Sequence, residues 1–217
     1  MLVPIKRSKF EELIPLMATG AQYQYFWGKP QDFLKRCLIS VIALTVIFIM
    51  TSVIGEGLRL IFGLVAGLYW LWAPILWASL KNREIRDLPY SGFWRGRVYD
   101  VYISEDLIGT EESVDRSGQL VIIENRERRI NLELEDKNGT QINVQAPLQR
   151  SFRPIRPGDS AELLILSRRS DLSQIELVSD VFIPNHGLWV SDYPYLQHQI
   201  FESVSRSLRR RPDGRRR

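Results

Sequence analysis

The chain has very little of the chemistry on which enzymes and metal sites usually depend. Its 217 residues include one cysteine, Cys37, and two histidines, His186 and His198. One cysteine excludes a disulfide framework and a zinc site built on cysteines, and two histidines leave little for a histidine-rich metal site. No nucleophile elbow, phosphate-binding loop, dinucleotide fingerprint or kinase signature is present. The sequence therefore predicts no catalytic residues, no metal site and no cofactor.

One enzymatic interpretation stays open at the only histidine in the β-rich region. Ser179, Asp180 and Asp192 lie near His186 in the sequence and include the residue types of a hydrolytic site. Proximity in sequence is not geometry, so this pattern is a weak signal. We expect His186 to lie in a turn and the protein to be non-enzymatic.

Charged residues are missing from two long stretches, 37–55 and 60–80. A bilayer core about 30 Å thick needs about 20 apolar residues in helical form. Neither stretch shows the polar stripe of a helix on a globular surface. Only four residues, 56–59, separate them, which forces an antiparallel arrangement. The sequence therefore predicts a two-helix transmembrane hairpin over 37–80.

Basic residues flank this predicted hairpin on both sides. Lys29, Lys35 and Arg36 precede it and three more basic residues follow it, whereas the intervening turn offers only Arg59. By the positive-inside rule, both termini are expected in the cytoplasm. The sequence thus predicts an integral membrane protein with two spans, in a plasma or thylakoid membrane.

Small residues and aromatic residues add two finer predictions. Gly63 and Gly67 form a small-xxx-small pair, which suits close helix packing with a partner helix or within the hairpin itself. Aromatic residues suit a membrane interface or, alternatively, packing on the folded domain. The candidates for the interface are Tyr23, Tyr25, Phe26, Trp27 and Trp189.

The periodicity changes to that of strands after residue 90. Residues 129–136 alternate apolar and polar side chains, and Asn138-Gly139 follows as a hairpin signal. Five or six strands are expected over 91–185, with little helix. The predicted fold class is an α+β membrane protein. The N-terminal hairpin precedes a small antiparallel β-barrel (OB-like) or sandwich, and a C-terminal amphipathic helix follows it.

These patterns predict six segments along the chain. They are an N-terminal cytoplasmic or interfacial segment (1–36), the hairpin (37–80), a linker (81–90), the β domain (91–185), an aromatic strip with an amphipathic helix (186–208) and a basic disordered tail (209–217).

The basic charge is concentrated at the C-terminus. Residues 206–217 contain seven arginines and one aspartate, a net charge of +6. Because the whole chain carries a net charge of +4, the remaining 205 residues sum to −2. The predicted β domain has 12 basic and 16 acidic residues, a net −4. The sequence therefore predicts no nucleic-acid partner. The tail, including Arg209, Arg210 and Arg211, suits anionic lipid headgroups or is simply solvated.

Two segments carry a resemblance to a known family. The opening IKRSKFEELIPLMATGAQYQYFWGKPQDFLKR and the ending LWVSDYPYL, with the two apolar runs between them, resemble a small two-span membrane-protein family of cyanobacteria. Some members of that family are labelled phosphate ABC transporter permease. The resemblance implies a thylakoid or plasma membrane and a part in transport.

The first functional hypothesis is a non-enzymatic, membrane-anchored interaction, scaffold or assembly protein that presents its β domain to an unidentified protein partner. The alternative is an accessory or permease-type component of a membrane transporter. Two spans cannot enclose a transport path alone, so that alternative requires partner spans. No small-molecule substrate is evident from the sequence.

Overall fold

A computed structural model of the chain describes residues 1–50, 55–114 and 119–210. The chain divides into two compact units. The β unit comprises Met1–Phe10, Leu88–Leu196 and the chain from Phe201 onward, and the helical unit comprises Glu11–Asp87 and Gln197–Ile200.

The described residues contain six α-helices. They are α1 (Arg7–Leu13), α2 (Gly20–Trp27), α3 (Pro30–Ile49), α4 (Glu56–Gly67), α5 (Tyr69–Arg86) and α6 (His198–Arg210).

Local chemistry explains where α2 and α3 begin. Thr19 and Gln22 form a capping box at α2, in which each side chain bonds the other residue's backbone N–H. Helix α3 starts at Pro30, whose fixed φ suits the first helical position. The Asp32 carboxylate accepts a hydrogen bond of 2.9 Å from the backbone N–H of Lys29. The two caps fix where α2 and α3 begin.

The predicted transmembrane hairpin over 37–80 is wrong as a description of this fold. No single helix in the described part of the chain is both long and apolar enough to cross a membrane. Taken together, the consecutive helices α4 and α5 have the length and apolar composition of a membrane span, but they are bent by 72° at the break between them. This finding contradicts the predictions of an integral membrane protein, of two spans, of cytoplasmic termini and of a plasma or thylakoid membrane.

The boundaries of α3 and α4 explain this correction physically. Helix α3 begins at Pro30 and carries three charged residues before the uncharged run starts at Cys37. The uncharged part of α3, residues 37–49, rises only about 20 Å at 1.5 Å per residue. The second uncharged run is interrupted at Leu68, which ends α4 and precedes α5. The two apolar runs are continuous in the sequence, but neither run forms one continuous helix of its own.

Within the described ranges, eight strands form one antiparallel sheet. They are β1 (Leu2–Pro4), β2 (Tyr90–Val114), β3 (Leu120–Glu135), β4 (Gln141–Pro147), β5 (Ser160–Ser167), β6 (Leu177–Val178), β7 (Val181–Ile183) and β8 (Leu188–Val190). The strand order is β4-β3-β2-β5-β7-β8, while β1 pairs with β2 and β6 pairs with β5. This large sheet stands in place of the small OB-like barrel or sandwich that the sequence predicted.

The core of the β unit lies on both faces of the sheet around β5. On one face Trp94 and Leu163 are fully buried in a cluster that also includes residues of β3 and β4. On the other face Phe201 of α6 stacks on Phe93 at 5.3 Å between ring centroids. Because both faces are covered, strand β5 reads as a continuous apolar run, interrupted only by Glu162.

The turn between β3 and β4 differs from the two-residue turn that Asn138-Gly139 predicted. The loop has Asp136 at its start, and Gly139 alone adopts a left-handed conformation, with φ of +78°. The Asp136 carboxylate accepts hydrogen bonds from the backbone N–H groups of Asn138 (2.8 Å) and Thr140 (3.0 Å). The Asp136 side chain therefore organises the loop, and positive φ is needed only at Gly139 instead of at both Asn138 and Gly139.

Candidate interaction surface

Four of the five aromatic residues predicted for an interface lie in α2 of the helical unit. Trp27 is half-buried, with its ring centroid 5.6 Å from that of Phe33 and 6.3 Å from that of Trp70. The guanidinium of Arg36 lies over the Trp27 ring and donates to the carbonyl oxygen of Phe26 at 2.8 Å. These contacts place Trp27 and Phe26 in the packing of the helical unit.

The neighbouring aromatic residues are less enclosed. Tyr23 lies 5.4 Å from Trp27, ring to ring, and donates a long hydrogen bond of 3.4 Å to the carbonyl oxygen of Leu71. Tyr25 is exposed, with the ammonium of Lys81 5.7 Å from its ring centroid. The interface role proposed for these residues stays a prediction.

The two glycines of α4 have different surroundings. A methyl group at Gly67 would lie 3.7 Å from a methyl carbon of Leu44 in α3, an ordinary packing distance. A methyl group at Gly63 would meet nothing within 4 Å. Only Gly67 therefore lies against another helix of the described chain.

Trp189 and the first tail arginine pack within the β unit. Trp189 stacks on Phe182 at 4.7 Å and meets the edge of Phe201 at 5.3 Å. The guanidinium of Arg209 lies 3.0 Å from the carboxylate of buried Glu162. Arg210 is the last residue of α6, and Arg211 lies outside the described residues. Lipid binding by these arginines stays a prediction.

The residues of the possible catalytic set around His186 make contacts elsewhere. His186 pairs with Asp159 at 2.9 Å, and Asp192 pairs with Arg129 at 2.8 Å. The Asp180 carboxylate accepts a hydrogen bond of 2.7 Å from the backbone N–H of Tyr195. Among the described residues, no group of three or more histidine, cysteine, aspartate and glutamate side chains could hold a metal ion.

A two-stranded extension of the sheet is the most distinctive surface of the β unit. Strand β5 pairs with β2 only as far as Arg97, and β4 pairs with β3 only from Arg129 onward. Beyond these points β2 and β3 pair only with each other, over residues 105–114 and 120–128. We name this segment the ribbon arm. Its ten residues of β2 span about 33 Å at ~3.3 Å per residue.

The ribbon arm exposes large apolar side chains. Leu107 is 55% exposed and Ile108 47%, and on the facing strand Leu120 is 66% and Ile122 63% exposed. Apolar side chains clustered on an exposed element mark interaction surfaces. The sequence predicted five or six strands over 91–185 but did not predict the ribbon arm.

A groove lies at the base of the ribbon arm and has a volume of about 630 Å³. Its apolar side chains include Val101, Ile103, Leu148 and the buried Phe152 and Ile155. Four arginines also line it. They are Arg128, Arg150, Arg153 and Arg156. We name this site the arginine groove.

The loop after β4 presents three of these arginines through its spacing. Phe152 and Ile155 are buried in the core of the sheet, whereas Arg150, Arg153 and Arg156 are exposed. A single turn of 3₁₀ helix, Arg150–Phe152, begins this segment. Residues three apart lie on one side of such a turn. The Arg-x-x-Arg-x-x-Arg spacing was therefore a readable signal that the sequence analysis did not use.

The side chains that line the arginine groove include basic residues and no acidic residue. Among the described residues, no carboxylate lies within 4.0 Å of the guanidinium of Arg128, Arg150 or Arg153. Arg126 on the ribbon arm differs, because Glu124 lies 2.8 Å away and its hydrogen bond raises the pKa of Arg126. The groove is therefore a site for anionic groups.

A model of a family of unknown function, DUF8619, matches residues 3–211 of the chain. No curated protein matches the chain, and no solved structure does.

Proposed function

The chain belongs to the DUF8619 family, and we propose that it serves as a non-enzymatic interaction protein whose ribbon arm docks on a protein partner. The observation that carries this proposal is the ribbon arm itself, a paired extension of β2 and β3 outside the core of the sheet.

The ribbon arm lacks what stabilises the rest of the sheet. Strand β5 flanks β2 as far as Arg97, and strand β4 flanks β3 from Arg129 onward. In the arm itself, β2 and β3 have no other described strand beside them. An isolated two-stranded ribbon is marginally stable in water and is normally stabilised by packing. Burying Leu107 and Ile122 against a partner would contribute about 1.5–3 kcal/mol for each side chain fully covered. A docked partner therefore supplies what the arm lacks.

The backbone of the arm also favours docking. No described strand pairs with the edge of β2 that faces away from β3, from Tyr99 to Val114. An unpaired edge presents N–H and C=O groups that an added strand can satisfy. Strand addition at such an edge is a common mode of protein recognition.

A catalytic role has less support. His186, Asp180 and Asp192 each bind a different partner instead of each other. The transporter-component alternative stays a prediction, and unchanged phosphate uptake in a deletion strain would argue against it.

Photo-cross-linking in cells that make the protein natively tests the docking role. A photoreactive residue at Leu107 or Ile122 should give a cross-linked product of discrete mass. The matched control is Ile175, which is also exposed but lies outside the arm. Equal cross-linking at all three positions would contradict the proposal.

Two polar substitutions give an independent test. The double variant Leu107→Ser, Ile122→Ser should lose the co-purifying partner, because it removes apolar area from the arm. Its thermal unfolding midpoint should stay close to that of the wild type, since both side chains are exposed and lie outside the core cluster. If this variant retained a stoichiometric partner, the docking surface would have to lie outside the arm.

A further inference from the structure

We propose that the ribbon arm docks on a second copy of this chain, so that each copy inserts the acidic end of its arm into the arginine groove of the other. This inference rests on the docking role of the arm and names the partner. Its basis is the unpaired edge of β2, the phase of the side chains along the arm and the opposite charges of the arm and the groove.

The unpaired edge of β2 can pair with the same edge of a second copy. Antiparallel pairing of two identical strands has two-fold symmetry, which is the commonest symmetry of homodimers. The two arms would then form a four-stranded sheet with both β2 strands at its centre. In this arrangement each arm runs back toward the base of the other, where the arginine groove lies.

An irregularity in β2 sets which side chains share the groove face. The register pairs Ile103 with Ile130, but beyond the shift between Leu107 and Gly109 it pairs Glu112 with Ile122. Strand β3 continues from Ile130 to Ile122 without a break in alternation. Ile103 and Glu112 therefore lie on the same face of β2, although one number is odd and the other even.

This phase matches a two-fold axis between Leu107 and Ile108. Residues directly opposed in an antiparallel pair point to the same face. With the axis at that position, Glu112 of one copy opposes Ile103 of the other. Because Ile103 lines the arginine groove, the Glu112 carboxylate comes to the mouth of the groove. The exposed side chains of Leu107 and Ile108 meet their counterparts at the axis.

Charge favours the same arrangement. The β2 half of the arm, residues 105–114, contains four acidic residues and no basic residue. The groove presents four arginines and no carboxylate. With the axis between Leu107 and Ile108, Glu105 opposes Thr110, so no two carboxylates are directly opposed. By symmetry, each carboxylate–guanidinium contact occurs twice in the pair, once at each end.

A nucleic acid fits these charges less well. Residues 91–185 carry a net charge of −4, and the acidic half of the arm adjoins the groove. A strand of phosphates leaving the groove would meet Glu105 and Glu112, whereas nucleic-acid sites track the backbone with positive charge. A second copy presents the opposite charge pattern and satisfies both the arm and the groove.

Charge reversal with mixing tests the inference on the full chain. Sedimentation velocity should show a concentration-dependent dimer for the wild type. Glu112→Arg and the double variant Arg150→Glu, Arg153→Glu should each weaken the dimer by about tenfold or more, because like charges then meet at both ends. An equimolar mixture of the two variants should regain near wild-type dimer. In the mixed dimer, the reversed arm of one variant meets the reversed groove of the other, and the natural arm meets the natural groove.

Two further charge reversals serve as controls. Glu176→Arg changes the charge as Glu112→Arg does, and Lys137→Glu reverses one basic charge as each substitution of the double variant does. Both positions are exposed and lie outside the arm and the groove, so both controls should leave the dimer unchanged. Circular dichroism melts should show that all variants fold.

Three outcomes would overturn the inference. They are a wild type that stays monomeric, a dimer insensitive to the charge reversals, and a mixture that fails to regain dimer. RNA binding that is lost in Arg150→Glu, Arg153→Glu without any dimer would instead assign the groove to nucleic acid. A monomeric chain whose arm still cross-links to another protein would leave the proposed docking role standing, whereas loss of both would remove it.

Discussion

Glu162 on β5 accepts a hydrogen bond of 2.8 Å from Nε of Arg95, its register partner on β2. The Glu162 side chain is only 1% exposed, and the same carboxylate also lies 3.0 Å from the guanidinium of Arg209. Ser205 of α6 donates its hydroxyl to the second oxygen of Glu162. One buried carboxylate thus joins the central pair of strands to the last turns of α6.

Replacing Glu162 with leucine should destabilise the protein. The substitution removes the acceptor for Arg95 and Arg209 and leaves the partly buried guanidinium of Arg95 without its partner. The expected loss is about 1–3 kcal/mol of unfolding free energy, below the value for a fully buried pair because both arginines are partly exposed. Urea denaturation of the full chain measures it. Glu124→Leu is the matched control at an exposed ion pair and should change stability by less than about 1 kcal/mol.

Much of the sheet could be read from the sequence. Alternation over 129–136 and the Asn-Gly signal correctly located the β3–β4 hairpin, because one face of these strands is buried. The ribbon arm could not be read in this way. It lies outside the core, so no buried face requires its residues to alternate.

The helical unit shows the opposite error. The uncharged runs predicted two continuous helices, but composition does not specify where a helix ends. Gly67 and Leu68 end α4 after only three turns, and the start of α3 includes charged residues. The arginine groove was missed for another reason, because Arg128 and Arg153 come from different segments that only the folded sheet brings together.

Gly139→Val should destabilise the β3–β4 hairpin. Gly139 has φ of +78°, where a β-branched residue is strongly disfavoured. A methyl group there would meet no atom within 4 Å, so backbone strain is the whole cost, about 1–3 kcal/mol. Thermal unfolding of the full chain measures the shift. Gly139→Asn is the matched control and should lose much less, since asparagine tolerates this conformation. Equal losses for the two variants would show that strain is not the cause.

Asp136 should contribute stability that depends on pH. Burial raises the pKa of Asp136, but hydrogen bonds from the Met1 amine and from the backbone N–H groups of Thr140 and Asn138 outweigh it and lower the pKa below its usual value. The folded state therefore favours the ionised carboxylate. This contribution is fully present above the unfolded pKa, about 4, and is lost as pH falls through the folded pKa.

Asp136→Asn tests this dependence. The difference in unfolding free energy between wild type and variant should be largest near pH 7 and should shrink steadily below about pH 4. Denaturant unfolding at a series of pH values measures it. A difference that stays constant down to pH 2 would mean that the ionised form of Asp136 has no special role in the loop.

The helical unit contains a buried amide pair that gives the last prediction. Gln22 of α2 and Asn82 of α5 are both fully buried, and each side chain donates to the other at 2.9 Å. Removing one amide takes from the other its side-chain hydrogen-bond partner in a buried site, which costs more than the hydrogen bond contributes. Gln22→Met and Asn82→Leu should each lose about 1–3 kcal/mol of unfolding free energy.

The double variant Gln22→Met, Asn82→Leu should lose clearly less than the sum of the single losses, because no buried amide then remains that has lost its side-chain partner. A coupling energy of about 0.5–3 kcal/mol is expected from the double-mutant cycle, measured by urea denaturation. Gln22 also accepts from the backbone N–H of Thr19, so the double variant should still be less stable than the wild type. The control Gln174→Leu removes an exposed amide bonded to Glu176 and should be nearly neutral. Additive losses in the cycle would show that the two amides do not stabilise each other.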